Sequence, residues 1–136
     1  MAALVITAAS VAAGEGAKSL PGTLHEAVTQ GMPAYRVAAT KRLGKADSNV
    51  TAALAEVVGL FLTAGAAGQP AVIHTEGPIT IGAALTVGER YFLGDVAGGI
   101  VPSADLSTGE FVTYLGTAIS ATVLDVQIHN SGVQVP

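Results

Sequence analysis

Few side chains in this sequence can do chemistry, so their spacing decides which reactions are conceivable. His25, His74 and His129 are the only histidines, and there is no cysteine. A zinc site needs three or four converging ligands, and thiolate ligands and disulfides are excluded outright. His74-Thr75-Glu76-Gly77 and His129-Asn130-Ser131-Gly132 look like two versions of one segment, each followed by an apolar-polar-apolar triplet, Ile79-Thr80-Ile81 and Val133-Gln134-Val135. That recurrence predicts a structural task for both imidazoles, hydrogen bonding to turn backbone. Glu89, Asp95, Asp105 and Glu110 gather around glycine-rich turns. Two carboxylates with separated pKa values could run acid–base chemistry, but aspartates and glutamates in such turns are expected to be solvated or turn-forming. Asp125 interrupts an apolar strand and is expected to face solvent or a subunit boundary. No serine lies in a Gly-x-Ser-x-Gly elbow, and no glycine-rich loop opens a helix as a phosphate cradle would. The sequence therefore predicts no catalytic, metal-binding or cofactor-binding residues and no enzyme.

Binding is the chemistry that remains. Arg36, Lys41, Arg42 and Lys45 are four of the six basic residues and fall within ten positions. They form a candidate contact for an acidic partner surface. Nucleic acid is not expected, because the net charge is −4 and only Tyr35 adjoins the basic run. Leu4 and Ile6, in the strand candidate Ala3-Leu4-Val5-Ile6-Thr7, are candidate apolar contacts if the N-terminus acts as an arm.

The elements that would position these groups follow from an internal repeat. Ala27-Val28-Thr29-Gln30-Gly31 returns as Ala84-Leu85-Thr86-Val87-Gly88, 57 positions on, and Val58-Gly59-Leu60 returns at the same offset as Leu115-Gly116-Thr117. Tyr35 aligns with Tyr91 at 56, Asp47 with Asp105 at 58, and His74 with His129 at 55. The chain divides into residues 1–26, an N-terminal strand or arm, then a first β unit at 27–82 and a second at 83–136, packed as one compact domain. Short strands are expected at Pro33–Ala39, Val57–Thr63, Ala71–Thr75, Ile79–Ile81, Arg90–Leu93, Ile100–Val101, Glu110–Ile119, Thr122–Ile128 and Gly132–Val135. Gly14–Gly22 and Thr40–Ser48 read as loops, Gly77-Pro78 as a turn, and Val50–Glu56 as one helical turn capped by Asn49. Gly59 and Gly116, inside apolar strands, predict bulges or close backbone approaches. The fold class is all-β: a small barrel or sandwich of two duplicated antiparallel units, with at most one or two short helical turns.

Half of the residues are apolar and 12% are charged, about half the usual charged share. So small a chain cannot bury that much apolar surface alone, which predicts coverage by sister chains or another protein. No membrane partner is expected: the longest uncharged run, Val57–Thr75, is broken by Gly59, Gly65, Gly68 and Pro70.

Three stretches carry a family resemblance: Tyr91-Phe92-Leu93-Gly94-Asp95 leading to Gly98-Gly99-Ile100, Leu115-Gly116-Thr117-Ala118-Ile119-Ser120-Ala121-Thr122, and Ser131-Gly132-Val133-Gln134-Val135-Pro136. With them, residues 68–136 resemble small virion proteins of tailed bacteriophages, the capsid decoration, cement or head-fibre proteins. Ala71–Ile81 and the loop around Asp47 resemble the same family more loosely. The resemblance implies a structural protein made in the host bacterial cytoplasm and bound to the outer capsid surface. There it would bridge major capsid protein subunits and stabilise the shell. It implies self-association as a homotrimer, with a homodimer as the alternative, and it carries over no catalytic residue. The other reading is a head-fibre or tail module recognising host-surface glycan, a role that normally presents stacking aromatics.

Overall fold

Alternating apolar and polar residues build ten strands: β1 Ala12–Ala13, β2 Lys18–Thr23, β3 Pro33–Arg36, β4 Leu43–Lys45, β5 Val57–Phe61, β6 Pro70–Thr80, β7 Arg90–Leu93, β8 Ile100–Pro102, β9 Phe111–Ala118 and β10 Val123–Gln134. The structure is a computed structural model that describes residues 4–136. Ala3 of the expected first strand lies outside them, and Leu4–Thr7 form no strand: they are tied by single bonds, Leu4 N to Ile100 O and Thr7 N to Gly82 O, and the first ladder begins at Ala12. Two single 3-10 turns, Ala8–Ser10 and Ser103–Asp105, are the helical elements among the described residues. The all-β class is as expected. All pairings between the strands are antiparallel, in the order β4-β3-β5-β6-β10-β9-β7-β8, and the sheet curls into a half-barrel. β1 and β2 add to β6 on its other edge: His74 faces both Leu60 and Ser19, and Glu76 faces both Lys18 and Gln127.

The duplication is visible in the register. Pro33, Ala34 and Tyr35 pair with Leu60, Gly59 and Val57; Arg90, Tyr91 and Phe92 pair with Thr117, Gly116 and Tyr114. Every one of these residues has its counterpart 57 positions on, and the β3–β4 and β7–β8 hairpins match at the same offset. Tyr35 therefore corresponds to Phe92, not to Tyr91 as the sequence alignment had it. His74 and His129 are not counterparts either. Phe61 pairs with Ile73 twelve positions later, whereas Ala118 pairs with Leu124 six positions later, so the tighter second hairpin puts Asp125 in the place of His74.

Gly59 and Gly116 sit where each ladder slips by one residue. A Cβ on Gly59 would lie 2.8 Å from the His74 carbonyl oxygen, and one on Gly116 would strike that of Asp125. The expected bulge and close approach are thus the same feature, met twice.

Several local expectations are corrected. Gly77-Pro78 does not reverse the chain: β6 runs through it for 11 residues, with Gly77 at φ 95° bending the strand rather than ending it. Gly132, at φ 69°, lies within β10 in the same way. Gly14–Gly22 holds β2, an outer strand in which Pro21 faces Val72 and no further strand needs its missing N–H. The Thr40–Ser48 loop contains β4, and the turn over Ala52–Ala55 is capped by Thr51, whose Oγ1 accepts from Leu54 N at 3.3 Å, rather than by Asn49.

The larger core cluster joins both units, from Val57 and Leu60 to Ile79, Tyr91, Leu93, Ile100, Leu115, Leu124 and Val126. A smaller one packs Leu24 and Val28 over Ala34, Leu43, Phe61, Ala71 and Ile73. Burying a side chain of this size stabilises by about 1.5–3 kcal/mol relative to exposure. The seam of the half-barrel is stitched by residues 46–48: Gly98 N donates to Ala46 O at 2.8 Å, and Phe111 N to Ser48 O at 2.8 Å. No helix among the described residues is long and apolar enough to cross a membrane.

Candidate functional site

The basic residues share the β3–β4 hairpin. The turn is tightened by Lys41, the one non-glycine with positive φ (63°) among the described residues, and the Arg36 guanidinium donates to its carbonyl at 2.8 Å. Lys45 turns back to Glu26, which takes its backbone N–H at 3.0 Å and its ammonium at 3.8 Å. Arg36, Lys41 and Arg42 are exposed. Burial, with the Glu26 charge adding to it, raises the Tyr35 pKa beside them. Leu4 and Ile6 are only half-exposed. They pack against the larger core cluster, and Leu4 N donates to Ile100 O at 2.8 Å, placing them by β8 at the opposite end of the strand order from the basic hairpin. Leu4 and Ile6 are thus engaged with the core, while three of the four basic residues are exposed.

His74 is fully buried, and its Nε2 lies 2.7 Å from Gly77 O. A carbonyl only accepts, so Nε2 carries the proton and Nδ1 is left without a partner. The expected imidazole-to-backbone bond thus holds for His74, where it braces the bend in β6. His129 is exposed on β10, and His25 is exposed beside β4. Among the described residues, no three His, Asp or Glu side chains are placed to hold a metal ion.

Of the four carboxylates at the turns, Asp95 is exposed as expected, Glu89 and Asp105 are half-exposed, and Glu110 is less solvated than expected. Glu110 is buried; it accepts from Ser48 Oγ at 2.9 Å and from Ser107 N at 2.5 Å. Ser48 Oγ also lies 2.7 Å from Gly94 O, so one hydroxyl ties the 46–48 crossing to both β9 and the turn after β7. Glu89 is held by Ser103 Oγ at 2.9 Å. Asp125 is half-exposed on β10, as its place in the pattern suggested. Asp47 stands beside this seam, and its pKa is raised, first by burial and then by the charges of Asp95 and Glu110. Glu110 is thus held within the backbone closure at this seam, and Asp47 is crowded by it.

Two surfaces escaped the sequence reading. One is a largely apolar end of the half-barrel, where Val5, Ala83, Ala84 and Ala121 line a shallow recess together with Thr7, Ser10, Thr80 and Thr122. Leu85 N donates to Ala121 O and Gly88 N to Ala118 O, both at 2.8 Å, which holds Val87 and Ile119 beside it. Val5, Val87 and Ile119 are 87%, 65% and 56% exposed. The other is a groove across β7, β9 and β10 lined by Arg90, Phe92, Val112, Tyr114, Thr117 and His129. Outward positions in alternating strands announce both surfaces, but which outward residues become neighbours depends on the curl of the sheet. No family model matches the chain, and no curated protein is similar to it.

Proposed function

We propose that this chain is a structural virion protein, a decoration or cement protein that binds the outer surface of a tailed-phage head and stabilises the shell. The apolar end carries this reading. Single exposed valines are ordinary, but here Val5 opens onto a recess that Ala83, Ala84 and Ala121 share with Thr7, Thr80 and Thr122, and Val87 and Ile119 stand exposed on the two segments bonded beside it, on a chain with 12% charged residues. Sister chains or a major capsid protein would cover that surface, and a homotrimer is the assembly proposed, with a homodimer as the alternative. Closed symmetry is the usual solution for such an assembly, and repetition across a lattice multiplies weak contacts into firm attachment. The half-barrel suits the task, because its ends are tied by backbone bonds and the buried Ser48–Glu110 contact.

Purified heads lacking the protein provide the test. Added chain should co-sediment with them, label the whole head surface and raise its heat resistance. Labelling confined to vertices or to the tail would instead favour host recognition, and no co-sedimentation would rule out attachment to the head.

A further inference from the structure

The duplication supplies an internal control for the groove on β7, β9 and β10. In the first unit Tyr35, Val57 and Leu60 pack into the larger core cluster. Their counterparts by register, Phe92, Tyr114 and Thr117, instead line a solvent-open groove of about 490 Å³. The shared backbone therefore does not require two aromatic rings and a hydroxyl at these places.

Register fixes the layout as two rows. Phe92 faces Tyr114, which faces His129; in the neighbouring row Arg90 faces Thr117, which faces Asp125. The two rings meet edge to face, with centroids 5.6 Å apart and planes at 63°. Tyr114 and Thr117 share a hydrogen bond between their hydroxyls. Among the described residues, ion pairs join Lys18 to Glu76 and Lys45 to Glu26, which leaves the exposed Arg90 guanidinium without one. Asp125 lies two strands away, about 10 Å at ordinary strand spacing, with Gln127 Nε2 3.5 Å from its Oδ2.

We propose that this groove binds a sugar ring bearing one carboxylate, the uronic-acid unit of an acidic glycan. The ring's C–H face would stack on one of the two rings, Phe92 or Tyr114, with the other against its edge; the carboxylate would take the two-pronged guanidinium of Arg90, and ring hydroxyls would meet Thr117 and His129. One fixed cation matches one carboxylate. A polyphosphate backbone would bring repeated charge to a molecule of net charge −4 and toward Asp125, whereas a neutral sugar would leave the guanidinium unused. This inference goes beyond the decoration reading and does not rest on it.

Methyl galacturonoside, a single uronic-acid ring, titrated into the isotope-labelled full chain and followed by NMR tests the site, with neutral methyl galactoside as control. Shifts should centre on residues 90–92, 112–117 and 129. The neutral sugar should bind at least about tenfold more weakly, as the loss of a charge-assisted bidentate contact requires. Arg90→Met and Tyr114→Ala, each with wild-type circular dichroism, should weaken binding by a similar factor, Arg90→Lys by less, and the hairpin variant Arg42→Met not at all. Should Tyr114→Ala misfold, the two Arg90 variants decide. No shift at millimolar sugar, equal affinity for the neutral galactoside, or a loss in Arg42→Met as large as in Arg90→Met would overturn the assignment.

Discussion

Asp47 is the carboxylate whose ionisation works against the fold. Burial, then the neighbouring charges of Asp95 and Glu110, raises its native pKa, while the backbone N–H groups of Asn49 and Ser48 only partly oppose this. The native state therefore holds the proton more tightly than the unfolded chain. The resulting stabilisation is complete below the unfolded value of roughly 3.9 and is lost as pH climbs through the native pKa. Asp47→Asn keeps a side-chain oxygen for Asn49 N, 3.3 Å away in the native chain. Its urea midpoint should exceed that of the native protein at pH 7 and converge with it near pH 3; a lower midpoint at pH 7 would contradict the charge argument. Gly116 gives a prediction of a different kind. Alanine there meets the Asp125 carbonyl, whereas alanine at Gly109 meets nothing within 4 Å and suffers only its positive φ of 89°. Gly109→Ala should lower stability by about 1 kcal/mol and Gly116→Ala by about 2–4 kcal/mol in chemical denaturation.

At the scale of elements, the point to explain is how β10 leaves β6. The two pair from Val123–Thr80 to Gln127–Glu76, after which β5 takes over the same edge of β6. Asn130 bridges the divergence. Its Oδ1 accepts from Val57 N at 2.8 Å and its Nδ2 donates to Val57 O at 3.0 Å, so one side-chain amide replaces a strand partner. Asn130→Asp removes the donor and sets a carboxylate against the Val57 carbonyl; it should cost about 2–3 kcal/mol, and Asn130→Ala somewhat less. Thermal melts of the two variants would check the order. This junction marks the limit of what the sequence discloses. Arg90–Leu93 and Ile100–Val101 emerge as strands because alternation and flanking glycines are local signals, and Gly59 and Gly116 announce their bulges for the same reason. Gly77-Pro78 carries an equally strong turn signal, yet β6 continues, because Ala12, Ala13 and β10 pair with Ile79 and Thr80 across 43 to 68 positions of chain. The Phe92–Tyr114 groove was hidden likewise: its residues become neighbours only after the pairing of three strands, and the tighter second hairpin defeats any alignment made at constant offset.

For the whole molecule the question is what covers the apolar end. Twenty-two apolar side chains are buried in the described chain, and both clusters close without Val87 or Ile119. These residues add nothing to the core, so replacing them should leave the fold intact while removing whatever association they mediate. Burying one such side chain in an interface contributes about 1.5 kcal/mol, and putting a carboxylate there adds a desolvation penalty. Val87→Asp and Ile119→Asp should therefore each weaken self-association by tenfold or more, with unchanged circular dichroism. Light scattering of the native chain at tens of micromolar should give a multiple of 13.4 kDa, and the variants should shift toward the single-chain mass. A native chain already at single-chain mass would refute the trimer and dimer together and leave the capsid surface as the only partner for this end. Oligomers unaffected by either aspartate would assign assembly to another face, with the exposed strand β2 and its half-exposed Leu20 the next to substitute.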